Sequence, residues 1–442
     1  MIYDLIVIGA GSGGVRAARI ASSYGAKVAI IEGNKFGGTC VNVGCVPKKL
    51  FYYVSQFHKD MENYSSYGWD LGSSKLNWKK FIKKKDIEIS RLNEIYKNIL
   101  IKNKITIVNG YASFVDRNSI KVGKKILKAK KFIIATGGKP RIPDEFKSIV
   151  NSSDDIFKLP QLPKKMIILG GGYIAIEFAC IFSNLGVEID IIYRGDRILK
   201  DFDKDITERL QEIMKKTKIK IHINSQIKDI KKIAKNNYEI KLNKKKIKTN
   251  YILSAIGRVP NIENLGLNRA KVQINEDGSV KANRIFQTTN ENIYAIGDVL
   301  NYINLTPMAI RQGHYISEKI FNKKNLQFDF KNVPTAVFSS PQLGTVGLTL
   351  DAAKLNRIDC YELKTEFKSM KKSFSKNDDK DTFYKLVIEK NTKKVIGAHI
   401  LSDDAGELIQ LLGVLVVSGA TIEDFKKTVA VHPTSSEELI TI

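Results

Sequence analysis

Apolar residues run without a break through Leu5-Ile6-Val7-Ile8, and an unbroken run marks a strand covered on both faces, as in parallel sheets. It ends in Gly9-Ala10-Gly11-Ser12-Gly13-Gly14. An alanine-rich stretch of helical character follows to about Gly25, and a second strand, Lys27 to Ile31, closes on Glu32. This is a βαβ unit. The pattern returns over residues 165–193, where Met166-Ile167-Ile168-Leu169 leads into Gly170-Gly171-Gly172-Tyr173-Ile174-Ala175, a helix, and a strand from Val187 to Tyr193. The lysine-rich stretch from Lys215 to Lys248 is expected on the solvated outer part of this second unit. No apolar run approaches the roughly 18 residues of a spanning helix. The first strand pattern begins at Ile2, which leaves no room for a targeting segment. A soluble cytoplasmic protein is the expectation.

A chain of 442 residues, at roughly 150 per domain, is expected to form about three domains. With 43% hydrophobic and 27% charged residues it is neither disordered nor fibrous. The net charge of +26 raises the question of nucleic acid. Of the 72 basic residues 59 are lysine, scattered over solvent-facing positions rather than gathered into an arginine-rich patch with interleaved aromatics. The charge therefore reads as a lysine-biased surface, with neither nucleic acid nor a membrane as partner. A positive field would still attract an anionic substrate or cofactor.

In the first unit Gly9 permits a tight turn, Gly11 lets the backbone approach a pyrophosphate, and Gly14 allows close packing of helix on strand. Glu32 stands where the adenosine ribose hydroxyls would lie. Two such units imply two dinucleotides. The second unit ends its second strand with Tyr193 instead of an acid, followed by Arg194, with Arg197 and Lys200 close behind. An acid would repel a 2′-phosphate and an arginine fork would bind it, so this half reads as built for NADP.

Four cysteines in so long a chain are too few for a disulfide scaffold. Two of them lie in Gly37-Gly38-Thr39-Cys40-Val41-Asn42-Val43-Gly44-Cys45-Val46-Pro47-Lys48-Lys49. The CxxxxC spacing has no second pair and no histidine motif beside it, so a zinc site would lack ligands, and no metal is expected. A redox pair fits better, because the dipole at a helix N-terminus lowers a thiolate pKa. Cys180 and Cys360 read as ordinary unpaired residues.

These residues, together with Ala135-Thr136-Gly137-Gly138, residues 172–177, Ala255-Ile256-Gly257-Arg258-Val259-Pro260-Asn261, Ala295-Ile296-Gly297-Asp298-Val299, Leu305-Thr306-Pro307 and Val431-His432-Pro433-Thr434-Ser435-Ser436-Glu437-Glu438, resemble the flavoprotein disulfide reductases. The likeness covers essentially the whole chain. Within that family it is similar to the glutathione reductase branch, and Gly14-Val15-Arg16-Ala17-Ala18-Arg19 resembles the form found in plants and some bacteria.

The resemblance implies an α/β fold of two Rossmann-like dinucleotide-binding domains plus a C-terminal α+β dimerisation domain. FAD would bind over residues 1–139, NADP over 140–258, the FAD domain would return over 259–330, and the dimerisation domain would run over 331–442. FAD would lie along Gly9, Gly11, Ser12, Gly13 and Gly14, with its ribose at Glu32 and Asp298 near the ribityl and pyrophosphate end. Gly38, Thr39, Thr136, Gly137 and Thr306 would also line it. Lys48 matches a lysine that hydrogen-bonds the flavin ring and Glu177 its ion-pair partner, a cation there stabilising the reduced ring. NADPH would contact Gly170, Gly172, Ile174, Arg194, Lys200, Gly257 and Arg258, with Tyr173 covering the nicotinamide pocket; Lys200 stands where the family usually has arginine.

The resemblance likewise implies a redox-active disulfide between Cys40 and Cys45. Cys45 would be the flavin-proximal thiol and Cys40 the interchange thiol that attacks the substrate. His432, held by Glu437, would serve as general acid in the partner subunit's site, so the enzyme would be a homodimer with composite sites. The remaining histidines, His58, His222, His314 and His399, read as structural or surface residues. Glutathione disulfide is the expected substrate, its carboxylates facing Arg16 and Arg19, with Ile95 and Tyr96 on an apolar wall. Where many members carry a further arginine after Gly313, this chain has His314, with Arg311 nearby. Alternative substrates in the same family are dihydrolipoamide and trypanothione. Against the first stand Lys48 after Pro47, Thr306-Pro307 and the missing acid at Tyr193; against the second stand the cations Arg16 and Arg19. An alternative from another class is a basic nucleic-acid-binding flavoprotein, supported by net charge alone.

Overall fold

The computed structural model describes residues 2–70, 72, 75–243, 245–323, 330–374 and 380–442. The first unit consists of β1 (Ile2–Ile8), α1 (Ser12–Ser23) and β2 (Val28–Glu32). Leu5 and Val7 join one buried cluster, Ile6 and Ile8 another on the opposite face. That two-sided burial is why the strand is apolar throughout rather than alternating. Helices α2 (Gly38–Val43), α3 (Cys45–Ser65) and α4 (Trp78–Lys102) follow, then β3 (Thr106–Asn109), β4 (Ala112–Phe114), β5 (Ser119–Val122) and β6 (Lys125–Ile134). The sheet runs β3-β2-β1-β6-β5-β4, parallel from β3 to β6 and antiparallel beyond. One end of β6, residues 125–128, pairs with β5; the other, residues 132–134, accepts the strand Ile293–Ala295 in parallel.

Strand β7 (Gly138–Pro140) leads out of this sheet into a second unit: β8 (Lys165–Leu169), α5 (Tyr173–Asn184), β9 (Glu188–Ile192), α6 (Lys204–Lys215) and β10 (Ile219–His222). A meander of β11 (Ile227–Ala234), β12 (Asn237–Leu242) and β13 (Lys246–Thr249) precedes β14 (Tyr251–Ser254). The order β10-β9-β8-β14 is all parallel. The meander covers one face, with Ile230, Ile240, Leu242 and Ile247 packing on Ile167, Leu169 and Ile192, while Lys228, Lys231, Lys232 and Lys235 point to solvent. Strand β15 (Arg258–Pro260) pairs antiparallel with β7, so the chain leaves and re-enters the first unit side by side. After β16 (Ile293–Ala295), α7 (Thr306–Phe321) packs on α1 through small residues: a Cβ on Gly313 would come 2.5 Å from the Gly13 carbonyl oxygen.

The last unit holds β17 (Thr335–Val337), β18 (Gln342–Gly347), α8 (Leu350–Leu355), β19 (Cys360–Phe367), β20 (Thr382–Glu389), β21 (Val395–Ser402), α9 (Ala405–Ser418) and α10 (Ile422–Lys427). Its sheet, β17-β18-β21-β20-β19, is antiparallel. Residues 324–329, just before the expected boundary at 330, lie outside the described residues. Helix α9 buries Ile409, Leu412 and Val416, yet Leu411, Val414 and Val417 on its other side are more than half exposed, as are Val429 and Val431 beyond it. So much exposed aliphatic surface on one unit marks an association face.

Phe51 links the helices around the future site. Its ring centroid lies 5.3 Å from Trp78, 5.2 Å from Phe81, 5.4 Å from Phe157 and 6.2 Å from Phe182, all edge-on. Helix α3 is thereby pinned to α4 and α5. Phe51→Ala should cost about 3 to 5 kcal/mol of folding free energy, read from the shift in a denaturant midpoint. A loss under about 1 kcal/mol would show that these helices are held in place by other contacts.

Candidate active site

The chain presses its second glycine pair against its first. Gly37 has φ +90° and Gly38 φ +61°, and a Cβ on Gly38 would sit 2.7 Å from the Gly11 Cα. Helix α2 therefore starts on the glycine turn and carries Cys40. Gly44 lets α3 begin at once, since a Cβ there would come 2.8 Å from the Thr39 carbonyl oxygen, and Cys45 is the first residue of α3. No side chain caps α3 and no acid stands in its first turn, so the positive end of its dipole faces the thiol. The two thiols share a hydrogen bond that settles the proton on Cys40. That bond, with lesser help from Thr306 and Lys48 and against the effect of burial, brings the Cys45 thiol down to about 6. The same bond and burial push Cys40 up. The Thr306 hydroxyl, at the start of α7, lies 3.5 Å from the Cys45 sulfur.

One helical turn on, Lys48 Nζ meets Glu177 Oε1 of α5 at 2.7 Å, both side chains almost fully buried. Two buried opposite charges hold each other only if both remain hydrogen-bonded. Glu177 Oε1 also accepts the Phe338 backbone N–H at 3.0 Å, and the Phe338 ring lies 3.8 Å from Lys48 Nζ and 3.6 Å from Lys49 Nζ. Sequence reasoning missed Phe338, which follows β17 in the C-terminal unit and has no motif of its own.

The two glycine turns repeat each other. Gly9 (φ +107°) and Gly170 (φ +123°) each leave 2.3 Å between an added Cβ and a carbonyl oxygen, of Ala135 and Ala255 respectively. They differ at the helix: a Cβ on Gly14 would lie 2.0 Å from the Gly9 carbonyl oxygen, whereas the second unit carries Ala175 at the matching place. Glu32 closes β2 with one carboxylate oxygen on the Ala10 N–H and the other on the Asn34 N–H, each at 2.7 Å. Ser12 Oγ, at the start of α1, and Thr136 Oγ1, on the loop leaving β6, are buried without a hydrogen-bond partner among the described residues. Gly11 and Gly137 have room where side chains would stand. Orphaned hydroxyls beside an open glycine cradle and an uncapped helix start fit the diphosphate and ribose of the expected FAD. Asp298 lies against Gly138, and burial raises its pKa while Arg258 opposes the rise.

The second cleft, of about 250 Å³, is lined by Gly171, Gly172, Tyr173, Tyr193 and residues 199–202. The Tyr193 ring lies over Gly171, where an added Cβ would come 2.6 Å from it. Lys200 faces this cleft, while Arg194 stands exposed beside it. Ile174 follows Tyr173 in α5, and Gly257 (φ +118°) ends the β14 loop. Arg258, by contrast, is turned to the first unit: its guanidinium donates to the Gly138 carbonyl and at 3.5 Å to the Thr39 hydroxyl, with Asp154 3.7 Å away.

Arg16 and Arg19 are half-buried on α1. Arg16 Nη2 donates to His314 Nδ1 at 3.0 Å, which leaves the imidazole Nε2–H toward Glu318 Oε1 at 3.3 Å. His314 thus orients an arginine. Ile95 and Tyr96 sit on α4, which is tied to α2 by the Asn93 amide on the Asn42 side-chain oxygen at 3.0 Å. At the other end of the chain His432 Nδ1 pairs with Glu437 Oε2 at 2.9 Å, the imidazole mostly exposed.

Comparison with known proteins defines the class. Residues 3–313 match the model of the pyridine nucleotide-disulphide oxidoreductases and residues 333–442 that of their dimerisation domain. The chain belongs to the pyridine nucleotide-disulphide oxidoreductases. Among its relatives, the glutathione reductase of Burkholderia cepacia is 39% identical over 444 residues, covering 100% of this chain and 98% of that protein. The glutathione reductase of a Nostoc species is 40% identical over 458 residues (100% and 99%), and the chloroplastic/mitochondrial glutathione reductase of Pisum sativum 38% over 453 residues (100% and 82%).

Mass-mapped alkylation of the reduced protein should show Cys45 reacting with a midpoint near pH 6, Cys40 staying slow at that pH. Cys40→Ala removes the donor that holds the thiolate, so the Cys45 midpoint should move up by at least one pH unit. An unchanged midpoint in that variant would contradict the shared-proton arrangement.

Proposed function

We propose that this protein reduces glutathione disulfide to two glutathione molecules with NADPH as donor, through bound FAD and the Cys40/Cys45 pair. The observation that carries the reading is the thiol pair, Cys40 on α2 and Cys45 at the start of α3, one helical turn from the buried Lys48–Glu177 pair. Bound FAD would supply a two-electron relay from the nicotinamide to the dithiol. Ser12, Thr136, Glu32, Asp298 and the glycines at 9, 11 and 14 would hold it, and Lys48, paired with Glu177, would stabilise negative charge developing on it. Lys200 and Arg194 supply cations for the NADPH 2′-phosphate.

The thiol chemistry belongs to the chain itself. Cys40 loses its proton to His432 of the partner subunit, and its sulfur attacks one sulfur of the substrate disulfide, forming a mixed disulfide. The expelled thiolate takes the proton back from the imidazolium, whose charge Glu437 stabilises. The Cys45 thiolate then attacks the Cys40 sulfur, closes the Cys40–Cys45 disulfide and releases the second glutathione as its thiolate, which takes a proton from solvent. Because the shared proton rests on Cys40, this sequence needs the base that the C-terminal segment brings. The exposed aliphatic face of α9, with Val429 and Val431, supplies the surface on which two copies associate as a homodimer. Arg16, aligned by His314, and Arg19 face the substrate carboxylates, with Ile95 and Tyr96 beside them. Among the described residues no helix is long and apolar enough to cross a membrane. A dithiol cycle fed by NADPH fits the reducing cytoplasm.

A panel of disulfides assayed with NADPH and NADH tests the reading. Glutathione disulfide with NADPH should give the highest kcat/KM, and Lys200→Ala should lower it roughly 10- to 100-fold with NADPH alone, as for a charge-assisted contact of about 1.5 to 3 kcal/mol. Equal use of both nucleotides, or a preference for lipoamide, would replace this assignment.

His432→Ala should leave reduction by NADPH nearly intact and slow disulfide turnover by about 10² to 10⁴-fold. Mixed with Cys40→Ser under subunit exchange it should recover activity, since one site per heterodimer then has both groups. Inactive mixtures despite proven exchange would place each site within one chain.

A further inference from the structure

Lys385, in the middle of β20, is only 3% exposed and sits among three carboxylates: Asp203 Oδ2 at 2.9 Å, Asp205 Oδ2 at 2.7 Å and Glu362 Oε2 at 2.9 Å. Asp203 and Asp205 belong to the second nucleotide-binding unit, whereas Glu362 lies on β19 beside Lys385. A lysine buried this deeply stays charged only because several carboxylates hydrogen-bond it. Burial by itself would lower its pKa; the bonds to Asp205, Asp203 and Glu362 outweigh that and raise it.

What Asp203 does on its other side gives this contact a direction. Its Oδ1 accepts the backbone N–H of Asp205 at 3.1 Å and caps α6. The segment that ends at Asp203 is the wall of the second cleft, residues 199–202. It is gripped twice more. The Leu199 N–H donates to the Gly171 carbonyl at 2.7 Å, fastening it to the glycine turn. Arg197 spends its guanidinium on the Lys200 carbonyl at 3.0 Å, the Phe202 carbonyl at 3.3 Å and the Thr207 hydroxyl of α6. The Leu199 N–H before Lys200, and Arg197 and Lys385 at and after it, thus fix the backbone around Lys200, which lines the cleft and makes no ion pair among the described residues.

We infer that Lys385, a residue of the dimerisation domain, is a positioning residue for NADPH: through Asp203 it holds the 199–203 segment so that Lys200 presents its charge to the 2′-phosphate. This rests on the NADPH reading above. Lys385 touches no substrate and acts only through the loop. Lys364 is its natural control, since it pairs with Asp205 and Glu362 at 2.7 and 2.5 Å and lies on the same sheet.

The test is calorimetric binding of adenosine 2′,5′-bisphosphate and of AMP to the holoenzyme, with steady-state kinetics alongside. In Lys385→Met the bisphosphate should bind at least 10-fold more weakly and AMP within 2-fold of wild type. KM for NADPH should rise about 10-fold, with kcat and KM for glutathione disulfide within 2-fold. Lys364→Met should leave all of these within 2-fold, and Lys385→Arg should restore at least half of the lost discrimination. If Lys385→Met fails to fold, Asp203→Asn, which keeps the helix cap and removes the charge, should give the same selective loss. A folded Lys385→Met or Asp203→Asn that discriminates like wild type overturns this inference alone. Equal loss of both nucleotides makes the contact a general structural one and overturns it too. A wild type that binds the two nucleotides alike overturns the NADPH reading first.

Discussion

A charged ammonium beneath a redox-active dithiol is tolerated only where a carboxylate meets it, and the 2.7 Å contact between Lys48 and Glu177 joins helices that begin 128 residues apart. Everything at the site is arranged around that pair. Helix α3 carries Lys48 one turn below Cys45, α5 carries Glu177, and the C-terminal unit contributes the Phe338 N–H and ring. The aromatic cluster centred on Phe51 keeps α3 and α5 at the separation the pair requires. An ion pair of this kind adds little net stability over an apolar substitute, since desolvation cancels most of the attraction. Its value lies in placing a fixed positive charge near the Cys45 thiol, where low polarity makes the charge count for more.

The same economy of form appears in the two glycine turns. Gly9 and Gly170 meet equivalent carbonyls at the same distance, so one backbone solution serves both units. The differences lie in what surrounds the turn. The first helix must ride close enough to its strand that only glycine fits at position 14, and its far strand ends in Glu32, which takes two backbone N–H groups. The second turn tolerates Ala175 and lies beneath the ring of Tyr193, with Arg194, Arg197 and Lys200 following in the chain. A net charge of +26 surrounds both, and a dianionic disulfide or a phosphorylated nucleotide would be drawn toward such a surface.

The strand, glycine turn, helix and strand of both units, a cysteine at a helix start and, through the family resemblance, the contact of His432 with Glu437 were legible in the sequence, because each depends on residues close together in the chain. A glycine announces its backbone by lacking a side chain, a strand buried on two faces announces itself by being apolar throughout, and a helix end lies within one turn of the residue it acts on. Only the tertiary structure decided which cation meets which anion. Arg197, one of three cations after Tyr193, spends its guanidinium on carbonyls and Thr207, and Arg258 turns toward Gly138 and Thr39 instead of the second cleft. His314 aligns Arg16, Phe338 braces Lys48, and of 59 lysines it is Lys385 that lies buried among Asp203, Asp205 and Glu362. Arg16 and His314 stand 298 residues apart, Glu177 and Phe338 161, and Asp205 and Lys385 180, and charge and size alone do not say which of many similar side chains a sheet order will bring within about 3 Å of one another.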